Sequence, residues 1–291
     1  MASLIYHAGA LGDFITTLPA IARWREERPG ERLILLGRPG FAALAAPPFD
    51  ETWDVDAALF SPLFSDSAQA GPSLREKLGD VTSALLFASP ASPLSMTLES
   101  LGVKQIVRQD PFPSSVIHVV DYHLSLFSPR DAEAQPIPQI LIPELGPGAE
   151  SSDVVAIHPG SGSAKKNWPL ARYIQLAARL GERGERIAWI VGPAEQGLEP
   201  PPGADVWVLL PLPMLAARLA WCRLYVGNDS GVTHLAAATG CSTVALFGGS
   251  DPRVWAPRGA RVNVIDSSSR GLRALSVRDV LPVCEDFLKE K

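Results

Sequence analysis

Three stretches of the chain carry polar side chains at spacings suited to holding an anion. Asn228-Asp229-Ser230-Gly231 follows the apolar run Leu224-Tyr225-Val226 with Gly227, and precedes an Ala-rich segment, Val232 to Thr239, stopped by Gly240. The apolar run predicts a buried strand, and the polar four a sharp turn in which Asp229 or Ser230 caps a short helix. The free N–H groups around Ser230, Gly231 and Val232 would then face outward with the positive end of a helix dipole behind them. That is a site for an anion, most simply a phosphate. For the tripeptide alone, a capped turn with no ligand is the plainer reading.

The second stretch, His158 to Pro169, reads HPGSGSAKKNWP and follows the apolar run Val154–Ile157. Ser161 and Ser163, two glycines, and Lys165 with Lys166 suit a phosphate nest closed by a cation. Gly-Lys-Ser/Thr is missing, so it is not a Walker A loop. The third stretch, His7 to Asp13, is a glycine-bearing loop between a short strand, Ser3–Tyr6, and a helix opening near Asp13. It lacks GxGxxG, so a dinucleotide reading is weak.

Two other chemistries fit the residues less well. His118, Asp121, Tyr122 and His123 invite a metal, but HxxDxH is not an established ligand spacing and no partner for it is evident. A helix face, structural or turned to a cleft, is the better account. A serine hydrolase on Ser230 and His234 lacks the GxSxG elbow, and His234 would lie along Ser230's own helix.

The elements that must position these residues alternate β and α. Strands are expected at Ser3–Tyr6, Arg32–Leu36, Thr52–Val55, Val81–Phe87 and Val103–Val107, then at Val154–Ile157, Arg186–Val191, Asp205–Leu209, Leu224–Val226, Ser242–Phe247 and Arg261–Ile265. Helices are expected from Asp13 through Trp24 with a kink at Pro19, over Ser92–Leu101, Val116–Phe127, Leu170–Leu180 after a first-turn Pro169, Pro213–Cys222, and after Ser276. Ser61–Pro72 reads as loop with helix ends. Such alternation argues for parallel, doubly wound α/β sheets, in which ligands lie off the carboxyl ends of the strands. Pro129–Ser152 is too rich in Pro and Gly for a continuous helix and marks a boundary. The expected domains are 1–140 and 153–291.

Composition narrows the class. A hydrophobic fraction of 46% in 291 residues supports sizeable cores. No basic leader and no long apolar run is read, and three unclustered cysteines fit reduced, small core residues; a cytoplasmic protein is expected. Residues 1–150 hold 10 Lys/Arg against 18 Asp/Glu, and residues 151–291 hold 16 against 13, so the halves stand at −8 and +3. That balance disfavours a nucleic-acid partner and suits an anion-handling second half.

Asp229-Ser230-Gly231 with His234 and the Ala-rich helix, then Val-Ala-Leu-Phe-Gly and Ser250-Asp251-Pro252 with Trp255-Ala256-Pro257, resembles the C-terminal signature of glycosyltransferase family 9, the ADP-heptose:lipopolysaccharide heptosyltransferase family. His158-Pro159-Gly160 with Lys166-Asn167-Trp168-Pro169, and Gly12-Asp13 with Thr17-Leu18-Pro19, agree with it. The resemblance implies the GT-B type of fold: two doubly wound Rossmann-like domains facing across a cleft. It implies an inverting, metal-independent glycosyltransferase, with no cofactor and an ADP-sugar as donor substrate. Asp13 would be the catalytic base, with Gly12 and Thr16 on the acceptor side. Ser161, Ser163, Lys166, Glu195, Asp229, Ser230, Gly231 and His234 would bind the nucleotide sugar, Glu195 holding the ribose and Lys166 the diphosphate. The implied acceptor is a saccharide or glycolipid, and peripheral association with the inner face of the inner membrane goes with it. Because residues 1–150 are acidic, an ADP sugar other than heptose, or an atypical acceptor, stays open, as does a catalytically silent nucleotide-sugar binder.

Overall fold

The structure is a computed structural model that describes residues 1–65, 70–128, 135–144, 153–195 and 200–289. The chain divides into two compact units, Met1–Ser115 with Val119–Glu133, and Val116–His118 with Ala134–Lys291. Both ends of the expected Pro-rich linker lie outside the described residues; Pro136, Pro138 and Pro143 sit in chain that is neither helix nor strand.

The first unit runs β1 (Ala2–His7), α1 (Leu11–Glu26), β2 (Arg32–Gly37), α2 (Pro39–Ala42), β3 (Glu51–Asp54), α3 (Pro72–Lys77), β4 (Val81–Phe87), α4 (Leu94–Ser100), β5 (Gln105–Gln109) and α5 (Val119–Leu124). Its strands are all parallel, in the order β3-β2-β1-β4-β5. Consecutive residues such as Leu4 and Ile5 are both fully buried, as expected of strands covered on both faces. The helix α1 lays Phe14, Ile15, Leu18, Ile21 and Trp24 against the sheet. At its far end the Trp24 indole donates to Ser3 Oγ at 2.5 Å, tying the helix to β1. Pro19 sits inside α1 without ending it. One missing N–H costs less than the burial of five large side chains, each contributing about 1.5–3 kcal/mol.

The second unit runs β6 (Val154–His158), α6 (Leu170–Gly181), β7 (Arg186–Val191), β8 (Asp205–Val208), α7 (Leu212–Ala220), β9 (Leu224–Asn228), α8 (Gly231–Ala238), β10 (Thr243–Phe247), α9 (Pro252–Trp255), β11 (Val262–Asp266) and α10 (Val277–Lys289). Its sheet is parallel, in the order β11-β10-β9-β6-β7-β8. The chain therefore steps outward from β6 to β8, then returns to place β9 on the other side of β6. That reversal makes the carboxyl ends of β6 and β9 the topological switch point. Helix α6 buries Tyr173, Leu176, Ala177 and Leu180, the i, i+3, i+4, i+7 stripe of an amphipathic helix. Against it packs α10, whose start is fixed by Asp279: its carboxylate accepts from the Ser276 N–H and hydroxyl at 2.8 and 2.7 Å.

Several expectations need correction. The helix expected over Val116–Phe127 is confined to Val119–Leu124, and the tripeptide before it clusters with the second unit. The fifth strand lies at Gln105–Gln109, two residues beyond its expected place, where it pairs with Ser83–Phe87. Pro169 is the cap before α6, extended at ψ 129°, instead of its first helical residue. The cysteines are free thiols, but Cys222 is only partly buried, while Cys241 and Cys284 are in the core. Burial pushes the Cys222 and Cys284 thiols up to about 12.

Candidate functional site

At the switch point the sheet end is organised by one amide. Asn228, fully buried at the end of β9, accepts from the Trp168 N–H and the Tyr173 hydroxyl, both at 2.9 Å. Its NH2 donates to the Pro159 and Gly160 carbonyls at 2.8 and 3.3 Å. All four of its hydrogen-bonding places are filled, so the His158–Trp168 loop is pinned to β9 at both ends. In the sequence Asn228 reads as turn chemistry. Its type was the only signal, because its partners lie about 60 residues away in the chain.

Within the pinned loop Ser161, nearly buried, uses its hydroxyl on the Ser163 carbonyl at 2.8 Å and Asn167 Oδ1 at 2.6 Å, and accepts from the Ser163 N–H. Ser161 therefore shapes the loop, and Gly162 stands exposed at its tip. Beneath lies Glu195, only 6% exposed. Its Oε2 accepts from the Gly192 N–H at 2.8 Å and sits 3.3 Å from His158 Nε2, an ionic distance but off the angle of a hydrogen bond. Burial pushes its carboxyl upward, but His158 and backbone N–H groups outweigh that and hold it below the usual value. A Cβ on Gly160 would run into this carboxylate, which explains the glycine.

Ser230 caps α8, its Oγ accepting from the Thr233 N–H at 3.4 Å. The helix opens at Gly231, so the N–H groups of Gly231 and Val232 have no intrahelical acceptor. The Ser230 hydroxyl also meets His158 Nδ1 at 3.4 Å and Thr233 Oγ1 at 3.1 Å. Its link to His234 is the backbone bond from His234 N, so the Ser230–His234 side-chain pair of a hydrolase does not form.

Lys166 and Asp229 meet beside that helix end, Nζ to Oδ2 at 2.6 Å, and the Ser250 hydroxyl donates to the same oxygen. Lys166 is partly exposed and Asp229 nearly buried, while Lys165 is exposed. The ammonium keeps further donors for an anion. His234 is buried within reach of this pair. Burial pushes its imidazole down to about 4; Asp229 pulls it back, and His118 and Lys166 add to the depression. His118 enters this neighbourhood with Nε2 donating to the Ala256 carbonyl at 2.9 Å. Among the described residues no three His, Cys, Asp or Glu side chains converge on a metal position. Alongside, at the carboxyl ends of β10 and β11, lies a cavity of about 490 Å³ walled by Gly248, Gly249, Ser250, Asp251, Arg253, Asp266 and Ser268.

In the first unit the loop after β1 brings Asp13 to the opening turn of α1, where its Oδ2 accepts from the Ala10 N–H at 3.2 Å. Gly12 and Asp13 are half-buried. Thr16, which the sequence placed toward an acceptor, is 2% exposed and spends its hydroxyl on the Asp13 carbonyl at 2.8 Å, so it supports Asp13 from below. The floor of the loop is aromatic. His7 stacks edge-on with Phe14 and Phe87 at 5.3 and 6.2 Å, and His123 with Phe87 at 5.1 Å. Burial leads in pushing both imidazoles down, His7 to about 3 and His123 to about 4, with His123 and Arg38 also acting on His7. His118 and His123 thus part company, the first joining the second unit and the second the core of the first.

Two parallel doubly wound sheets, with an anion-ready helix end at the switch point of the second, define a GT-B-like α/β protein. The chain belongs to glycosyltransferase family 9 (heptosyltransferase), whose sequence model matches residues 121–280. Lipopolysaccharide heptosyltransferase 1 of Pseudomonas aeruginosa is 36% identical over 118 residues, 38% of this chain and 32% of that protein. The matched stretch spans about a third of the length of such curated relatives. Two solved structures share the whole fold at 19% identity and a TM-score of 0.76. One is a family 9 glycosyl transferase from Veillonella parvula, covering 100% of this chain and 97% of that one. The other is the E. coli ADP-heptose lps heptosyltransferase II, covering 99% and 98%.

Proposed function

We propose that the protein is an inverting, metal-independent glycosyltransferase that moves a sugar, heptose first among candidates, from an ADP-sugar to a saccharide acceptor in the synthesis of lipopolysaccharide or another cell-surface glycan. The observation that carries the donor half of this reading is the Lys166–Asp229 pair, closed at 2.6 Å beside the uncapped N–H groups of α8 at the switch point. Lys166, whose ammonium keeps donors beyond the one on Asp229, and the α8 N-terminus two residues on from Asp229 would supply positive potential for a departing diphosphate. Family membership and the names of the relatives, lipopolysaccharide and ADP-heptose among them, support the substrate class.

In the proposed step Asp13 takes the proton of the acceptor hydroxyl as its oxygen attacks the anomeric carbon. The bond from that carbon to the diphosphate oxygen breaks, the configuration inverts, and ADP leaves with the electron pair. Lys166, the N–H groups of Gly231 and Val232, and the Ser161–Ser163 loop would hold the charge that develops. Glu195 would serve the ribose only through an oxygen not already given to His158 and Gly192. Residues 153–291 would carry the donor and residues 1–140 the acceptor, in a cytoplasmic protein associated peripherally with the inner membrane. No helix among the described residues is long and apolar enough to cross a membrane.

The test is calorimetric titration with ADP in EDTA, followed by an assay of ADP release from ADP-heptose with a deacylated lipopolysaccharide core. Binding in EDTA and acceptor-dependent release are expected. Binding abolished by EDTA would overturn the metal-free step, and binding without release from any ADP-sugar would leave a silent binder.

A further inference from the structure

The segment from Gly248 to Pro257 follows β10 and contains the short helix α9. Its first half walls the cavity of about 490 Å³ at the ends of β10 and β11. That wall presents hydroxyls, carboxylates, a guanidinium and backbone, with no large apolar side chain. It suits a polyhydroxylated ligand better than a planar base, which would want an apolar platform. Asp266 is set in place by accepting from the Ser268 N–H at 2.8 Å, and Asp251 is clamped by Arg253 at 2.7 Å.

Two contacts hold this segment at its ends. At the front, the Ser250 hydroxyl donates to Asp229, the carboxylate that grips Lys166. At the back, the Ala256 carbonyl accepts from His118 Nε2 at 2.9 Å. A carbonyl can only accept, so Nε2 carries the proton. The donor lies 138 residues before its acceptor, in a tripeptide, Val116–His118, flanked in sequence on both sides by residues of the first unit. The same imidazole is close enough to His234 to act on its proton affinity.

We propose that His118 is a positioning residue for the sugar part of the donor: it fixes the Gly248–Pro257 segment so that the cavity wall and Ser250 stand where a sugar attached to the diphosphate must lie. This rests on the donor reading above. His118 acts through Ala256 and the segment, and it touches neither the nucleotide nor the reacting atoms. A ligand lacking the sugar should therefore feel its loss much less.

The test compares His118→Ala and His118→Gln with the unaltered protein, full length. Gln is included because its amide can still donate to Ala256. Three quantities are read: Kd for ADP by calorimetry, KM and kcat for ADP-heptose by ADP release, and Tm. Losing one hydrogen bond predicts a rise in KM of about three- to tenfold in His118→Ala. The Kd for ADP should stay within about twofold, and His118→Gln should recover most of the loss. Equal losses for ADP and ADP-heptose, or a Tm fall with an unchanged KM, would overturn the proposal. So would a Gln variant no better than Ala. If the unaltered protein itself fails to bind ADP, the donor reading fails first, and the proposal falls with it.

Discussion

The carboxyl edges of the two sheets are built on opposite plans. In the second unit the edge is a polar lattice: Asn228 fills all its hydrogen-bonding places, Glu195 is held between His158 and Gly192, and Lys166, Asp229 and Ser250 form a chain. In the first unit the edge is a carboxylate over an aromatic floor, where Asp13 is steadied by Ala10 N–H and Thr16 above His7, Phe14 and Phe87. A lattice in which most polar groups are hydrogen-bonded fixes many donors in place before a ligand arrives, which suits the proposed charged nucleotide. Over a floor whose imidazoles burial keeps neutral, Asp13 is a carboxylate with a role of its own to test. If the proposed function holds, the second unit should thus lose function in increments, and the first all at once.

The largest expected effect tests that asymmetry. Asp13→Asn keeps an oxygen for the Ala10 N–H but cannot take a proton, so turnover should fall roughly a hundred- to ten-thousandfold. ADP affinity and Tm should stay near those of the unaltered protein. Turnover within threefold would return Asp13 to a helix-end role contributing only a few tenths to 1 kcal/mol. A smaller effect is expected on the donor side. Lys166→Ala should weaken ADP binding about ten- to a hundredfold, the range for one charge-assisted contact, and Lys165→Ala should do much less. Equal losses by calorimetry would mean that the loop presents both lysines to the ligand.

The effect that is smallest per group concerns acid. His7, His123 and His234 are held neutral, with proton affinities at about 3, 4 and 4 against about 6.5 in the unfolded chain. Below that ordinary value the unfolded chain binds protons the folded one refuses, so stability is flat above pH 6.5 and falls from there toward 4. At pH 5.5 each such imidazole costs about 1.4 kcal/mol. Two of the three lie in the first unit, so amides of β1 and β4 should lose hydrogen-exchange protection between pH 7.5 and 5.5 sooner than those of β6 and β9. Uniform loss, or none, would erase this part of the contrast.

Much of the frame is legible in the amino-acid sequence. The strands at Val81–Phe87 and Arg186–Val191 fell where their apolar runs put them, and Ser230 caps a short helix as its type and place suggested. Where the reading slipped, the cause is visible. Val116–Ile117-His118 has helix-compatible residues, but its backbone departs from the helix where His118 reaches Ala256. The hydroxyls of Ser161 and Thr16 donate to nearby backbone carbonyls, contacts that a string of letters does not announce.

What the sequence determined by itself is what short-range physics controls. Apolar periodicity, capping side chains and glycine breaks act over a few residues, so the alternation of strands and helices, the parallel sheets it implies and the capped turn at Ser230 could be read directly. Tertiary structure decided the rest, because burial and long-range partners have no local signature. Nothing around Asn228 announces that it will be fully buried with its partners some 60 residues away. Nothing around Glu195 announces that it will fill the space left by Gly160, nor around His118 that it will hold a carbonyl 138 residues on. Each of those contacts exists only once parallel strands have brought distant carboxyl ends to one edge, and there a polar group must find a partner or bear the cost of desolvation.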